Sequence, residues 1–186
     1  MGWDDIGESA CPIARSLAVL GDRWTLLIVR ELFLGGRRFD AFQAQTGISP
    51  HLLSVRLRRL EDAGVVERRR YQDRPARFEY RLTAKGKDLL GVVLALRGWG
   101  LRWGGFEPGA EPAVRLFHTA CGTEIESAAR CPGCGAPLQP RDITLRLGAA
   151  YASEREGRRK AAAGTRPPAR RRDPGDPGPA ADGEEV

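Results

Sequence analysis

The chain has 186 residues, 29% charged and 41% hydrophobic, enough for one compact domain and an added module. Its net charge of +6 favours a polyanionic partner. The longest apolar stretch, residues 89–96, is far short of the about 20 residues a membrane helix needs.

The first residues show no basic segment followed by an apolar core, so no secretory signal is expected and the location read is cytoplasmic. With two histidines and no Gly-rich phosphate loop, nucleophile elbow or His-Glu-x-x-His pattern, the chain does not read as a pocket enzyme. Charge divides it into three. Residues 1–104 carry the whole excess, with 18 basic and 12 acidic groups; residues 105–150 carry 4 and 5, and residues 151–186 carry 8 and 7. Gly104-Gly105 and Glu107-Pro108-Gly109 mark the first boundary.

In chain order, Pro12 opens a first helix that Gly21 stops. A second helix starts at Asp22 or Arg23 and ends before Gly35-Gly36, and a third runs from about Phe39 to Thr46. Gly47-Ile48-Ser49-Pro50 is a strong start signal for a fourth, with Ser49 as cap and Gly64 as stop. Leu53, Leu57 and Leu60 form its buried stripe, and His51, Ser54, Val55 and Arg58 face the other way. Arg59 lies on the shoulder of that face and Arg56 on the flank of the stripe. Two short helices joined by a glycine turn, the second basic outside, predict a helix-turn-helix. Residues 65–71 and 76–82 then predict a hairpin about a turn at 72–75, a wing with Arg74 and Arg77 at its tip. The segment 37–81 holds 11 basic and 6 acidic side chains, and Arg37, Arg38, Ser49 and Arg56 join His51, Ser54, Val55, Arg58, Arg59, Arg74 and Arg77 as the expected DNA contacts. Thr83 caps a last helix running through Trp103, on which Leu96, Trp99 and Trp103 form an apolar stripe.

Cys11-Pro12, Leu20-Gly21-Asp22-Arg23-Trp24-Thr25, Gly36-Arg37-Arg38-Phe39, Gly47-Ile48-Ser49, Leu57-Arg58-Arg59-Leu60-Glu61, Glu79-Tyr80-Arg81-Leu82-Thr83 and Gly86 together resemble the HxlR family of bacterial winged-helix transcription regulators over roughly residues 10–104. The resemblance implies a homodimer on a palindromic operator in double-stranded DNA, here read as a repressor, with dimer contacts from residues 12–20 and 84–103. It also implies that Cys11, at the start of the first helix, is a redox-sensing candidate reactive toward oxidants or electrophiles. The effector is not indicated.

Beyond the winged helix, His118, Cys121, Cys131 and Cys134 make two ligand pairs, each spaced by two residues and each ending in Cys-Gly. This donor set suits one structural zinc ion per chain in a zinc-ribbon-like module of residues 105–150, flanked by strands near 114–117 and 143–147. The expected fold class is therefore mainly α with a β-hairpin wing, plus a small β zinc-ribbon-like module and a disordered tail. From Ser153 onward the chain lacks large apolar residues until Val186 and is expected to be disordered and solvated. Two further readings are a winged helix used as a protein-interaction module, and a thiol-disulfide oxidoreductase built on Cys131-Pro132-Gly133-Cys134.

Overall fold

A computed structural model of the protein describes residues 3–107, 109–127 and 130–164. After a 3-10 helix at Trp3–Glu8, α1 (Pro12–Leu20) begins on Pro12, where no backbone donor is required. The next helix, α2 (Thr25–Phe33), starts slightly later than the sequence suggests. Asp22 caps it from outside, its Oδ1 accepting from Trp24 N at 2.8 Å and Thr25 N at 3.2 Å. α3 (Phe39–Thr46) ends at Gly47, φ +71°, a left-handed turn that aims α4 (Pro50–Asp62) across it. Ser49 Oγ accepts from Leu52 N at 3.4 Å to cap α4. Leu53, Leu57 and Leu60 are each at most 1% exposed, and they join Ile28, Leu32 and Phe42 in the core. Each such burial contributes about 1.5–3 kcal/mol, so the α4 stripe fixes which face of that helix remains outside.

The wing is β1 (Val66–Gln72) paired antiparallel with β2 (Arg77–Leu82), from Val66 opposite Leu82 to a register slip between Arg70 and Gln72. The segment before α3 adds to it: Tyr80 N donates to Arg37 O at 2.7 Å, and Arg38 bridges Glu79. The single helix expected after Thr83 is two. α5 (Ala84–Lys87) is a short turn, and α6 (Leu90–Trp103) begins after a break at Asp88 and Leu89. α5 is tied to the end of α4. Thr83 Oγ1 accepts from Gly86 N and donates to Gly64 O at 2.6 Å, and a Cβ on Gly86 would lie 2.1 Å from Val65 O.

A second sheet has the order β4-β3-β5, all antiparallel, from β3 (Val114–His118), β4 (Glu124–Ile125) and β5 (Ile143–Leu147). Arg97 of α6 clasps it, donating to Glu126 O at 2.5 Å and Val114 O at 2.7 Å. Gly98 permits that approach, since a Cβ there would lie 2.2 Å from Ser127 Cβ.

The expectation of a disordered tail from Ser153 is corrected as far as Gly164. α7 (Ala149–Gly164) is a helix, and it packs on α3. The reason is polar and long-range, hence invisible to an apolar count. Arg155 donates to Glu31 Oε1 at 2.8 Å and Oε2 at 2.5 Å, and Gln45 Nε2 donates to Arg155 O at 2.9 Å. Glu31 and Tyr151 stabilise the charged guanidinium of Arg155, raising its pKa. Arg158, assigned from sequence to the solvated tail, donates to Gln45 O at 2.9 Å and pairs with Glu154; Lys160 pairs with Glu156 at 2.7 Å. Residues 165–186, with Arg170, Arg171 and Arg172, lie outside the described residues.

Removing one partner of a buried pair leaves the other charge uncompensated. Arg155→Met is expected to lower stability by up to about 3–5 kcal/mol, less whatever α7 recovers by undocking. Chemical denaturation together with proteolysis at α7 checks this: an unchanged midpoint and an unchanged cleavage pattern would contradict it.

Candidate nucleic-acid interface and metal centre

The core stripe of α4 leaves His51, Ser54, Arg58 and Arg59 exposed, with Val55 half-buried beside them. Ser54 Oγ is partly engaged, donating to Pro50 O at 3.0 Å. Arg74 and Arg77 sit exposed at the wing tip. Among the described residues, Arg58, Arg59, Arg74 and Arg77 make no ion pair, so their charge is directed outward.

Two expected contacts are turned inward instead. Arg56 Nε lies 3.2 Å from Asp22 Oδ1, and the side chain is mostly buried. It braces α4 against the cap of α2, so it does not belong to the outer face. Arg37 Nη1 donates to Leu32 O at 2.7 Å and Gly36 O at 3.0 Å, and burial pushes its pKa down. It closes the loop after α2. Arg38 is exposed but stacks over Tyr71, 4.8 Å from the ring centre. Ser49 is engaged as the α4 cap. Within the wing, Arg69 pairs with Glu67 at 2.6 Å, Arg70 with Asp73 at 3.1 Å and Arg81 with Glu79 at 2.7 Å. Of the expected contacts, those left outward without an ion pair among the described residues are therefore Arg58 and Arg59 on the helix face and Arg74 and Arg77 at the hairpin tip, with Arg38 stacked on Tyr71 beside them. Sequence reasoning did not find the Asp22–Arg56 brace, although an acidic residue at a helix start is a usable signal for it.

The second sheet gathers the other predicted cluster. His118 ends β3, Cys121 follows in the turn to β4, and Cys131 and Cys134 sit on a second turn. Gly122 (φ +69°) and Gly135 (φ +74°) adopt left-handed conformations that let each turn close, with Gly122 N donating to His118 O at 2.8 Å and Gly135 N to Cys131 O at 2.9 Å. The four ligand atoms all lie within 4.8 Å of one another. His118 Nδ1 is 3.2 Å from Cys121 Sγ and 3.3 Å from Cys134 Sγ, and the Cys121 and Cys131 sulfurs are 3.4 Å apart. Tetrahedral bonds of about 2.3 Å would place sulfurs ~3.8 Å apart, which falls within this spread.

The electrostatics suit a cation. The Thr123 hydroxyl and backbone, followed by His118, draw the Cys121 thiol down to about 6. Burial pushes Cys131 up, but the backbone at Cys134 and Gly133 outweighs it and the net shift is downward. For Cys134 the Ala136 backbone favours the thiolate, yet burial and the neighbouring sulfurs raise it overall. His118 is raised, first by its contact with Cys121. Pro132–Cys134 is a turn with no helix after it, so the helix N-terminus that a redox-active Cys-x-x-Cys pair uses is not formed here.

Cys11 is exposed at the N-cap of α1, as the position of Pro12 suggests, and makes no side-chain capping bond. Arg15, one turn into α1, is directed elsewhere: its Nε donates to Gly7 O at 3.2 Å.

No helix among the described residues is long and apolar enough to cross a membrane. The family model of the HxlR-like helix-turn-helix matches residues 19–107. Uncharacterized HTH-type transcriptional regulators of Mycobacterium bovis and Mycobacterium tuberculosis are 38% identical over 146 residues, covering 78% of this chain and 89% of theirs, so the likeness runs beyond the winged helix. A regulator of the same description from Synechocystis is 39% identical over 94 residues, 50% of this chain and 70% of its own. The crystal structure of PA1607, described as a candidate transcription factor, superposes with a TM-score of 0.59 at 36% identity, covering 77% of this chain and 97% of that one. Winged helix, outward basic face and these relatives agree: the chain belongs to the HxlR family and is a DNA-binding transcriptional regulator.

Proposed function

We propose that the protein is a repressor that binds a palindromic operator as a homodimer, with α4 in the major groove of each half-site and half-site centres ~34 Å apart. The observation that carries this reading is the sorting of its arginines: Arg56 and Arg37 are held inside, while Arg58, Arg59, Arg74 and Arg77 project from α4 and the wing tip. Arg58 reads a guanine, His51, Ser54 and Val55 touch neighbouring bases or phosphates, and Arg74 and Arg77 grip the backbone or adjacent minor groove. Arg38 lies at the edge of this surface.

Support for the dimer comes from apolar side chains that this chain does not cover. Ile13 is 71% exposed on α1, and Trp99 and Trp103 are 65% and 63% exposed on α6. Such exposure on two helices marks an interaction surface, and it fits the terminal helices that the family resemblance assigns to dimerisation.

Selection of bound fragments from genomic DNA should enrich a palindrome, and deletion of the gene should raise transcription beside it. Against that operator, Arg58→Ala is expected to cost about 1–3 kcal/mol and to relax preference at one position. Arg74→Ala should weaken all sequences alike and reduce the salt slope by about 1. Loss of no specificity from Arg58→Ala would remove it as the reading residue.

For the second cluster we infer one zinc ion per chain, held by His118, Cys121, Cys131 and Cys134 and structural because all four positions are protein ligands. The metal would supply cross-linking to a module with little core, in which Ile125 and Cys131 are the buried apolar side chains among the described residues of the segment 105–148. Elemental analysis should give one zinc per chain. Cys134→Ser should lose the metal and the β3–β5 pairing while operator binding by the winged helix remains; metal-free protein with intact β3–β5 pairing would refute the assignment.

Cys11 is the candidate for redox sensing. Two Cys11 thiols brought together by the α1 surfaces of a dimer would be oxidised by hydrogen peroxide to one disulfide and two waters. A covalent dimer on non-reducing electrophoresis, absent in Cys11→Ser and accompanied by altered operator affinity, is the expected result. Equal responses of wild type and Cys11→Ser would move the sensor elsewhere.

A further inference from the structure

Between the winged helix and the second sheet lies a cavity of about 440 Å³, within the size range of small-molecule sites. Leu27 of α2 forms one wall, Val93 and Leu101 of α6 another, Leu116 and Leu145 of β3 and β5 a third, and Tyr151 of α7 closes the end. Its charged lining residues are Arg30 and Arg97, with no carboxylate. Arg97 is a half-buried cation whose hydrogen bonds go to backbone carbonyls. Arg30 is tied to Glu31 at 2.8 Å, so one carboxylate is shared between Arg30 and Arg155. The chamber is thus apolar with a cationic bias.

The cavity meets the proposed dimer surface at one rim, where Leu96 lines it and lies on the same flank of α6 as Trp103. At ~100° per residue, Leu94, Arg97 and Leu101 lie on the opposite side from Val92, Trp99 and Trp103, so a second copy seated on the tryptophans leaves the rest of the cavity facing the second sheet. The cavity also touches the helix that braces α3. Tyr151 Oη accepts from Arg155 Nη1 at 3.3 Å, and Arg155 in turn holds Glu31 of α2 and the Gln45 side chain of α3.

We propose that this cavity binds one small apolar molecule carrying a single anionic or hydrogen-bond-accepting group, and that α7 transmits its presence to the helix-turn-helix. The space is an open cleft whose apolar lining includes the exposed side chains of Leu96, Leu101, Phe106 and Leu145, and that lining matches an aromatic or aliphatic body with one acceptor turned to Arg30 or Arg97. A ligand pressing on Tyr151 or drawing on Arg30 acts on hydrogen-bonded chains that lead through Arg155 to α3. The transmission step rests on the reading of α3–α4 as the DNA-binding unit, whereas ligand binding does not, and the two are measured separately.

The probe is 8-anilinonaphthalene-1-sulfonate, an aromatic anion whose emission rises in apolar sites, titrated into the full zinc-loaded chain without DNA. One probe should bind per chain. Leu27→Trp and Leu145→Trp, which fill the cavity from opposite walls, should each weaken binding ~10-fold or more by taking up the space. Leu145 is exposed on β5, so that variant keeps the fold even where the other is destabilised. Binding that survives both variants but is lost in Trp99→Ala, or binding seen only after dilution separates subunits, would place the probe on the dimer surface and overturn the site. For transmission, amide exchange in α3 should slow when the probe binds wild type and should not slow in Tyr151→Phe, which retains the probe. Probe binding with unchanged α3 exchange would overturn the relay and leave the site standing.

Discussion

A single buried carboxylate organises the contact between α2 and α7, far apart along the chain. Glu31 is 1% exposed on α2, and it receives Arg30 from its own helix and Arg155 from α7. A carboxylate in that position is costly to bury without partners. Two guanidiniums meet that need, and one of them arrives from 124 residues away along the chain. Once Arg155 is drawn in, its carbonyl is in place for Gln45 and its neighbour Arg158 reaches the end of α3. The first helix of the helix-turn-helix is therefore held on one side by the apolar core and on the other by a polar clamp.

The same logic of pairing separates structure from recognition on the basic surface. An arginine with a carboxylate or carbonyl at hand becomes a brace, as Arg56 does with Asp22 and Arg37 with Leu32. An arginine on the outer face of α4 or at the wing tip has only solvent and incoming ligands to meet. Of the strand arginines between them, Arg69, Arg70 and Arg81 pair with Glu67, Asp73 and Glu79, while Arg68 stacks over Phe78. This weights the positive field toward the helix face and the hairpin tip, which favours one docking orientation on a duplex.

Much of this was legible in the sequence because the decisive signals were local. Ser49-Pro50 and Gly64 bracket α4, Leu53, Leu57 and Leu60 set its buried face, and Phe78, Tyr80 and Leu82 alternate along β2. The two Cys-Gly turns announced the four-residue cluster. What was not legible depends on partners distant in sequence. Nothing near Arg56 says that it faces Asp22. Nothing in an Arg- and Ala-rich segment says that residue 155 meets a buried glutamate, so the segment resembled a solvated tail. The docking of α5 belongs to the same class, because the carbonyl that Gly86 lies against is that of Val65.

That last contact has a geometric consequence. Gly86 lies against the carbonyl that ends the α4–β1 connection, closer than any other residue type would allow. α5 is therefore pinned to the end of α4, and α6 follows from that pin. If the tryptophan surface on α6 is the seam of the proposed dimer, the path from Gly86 along α6 would set how far apart two copies of α4 stand. The missing side chain at residue 86 would then act as the fulcrum of a caliper, with the 14 residues of α6 as its arm.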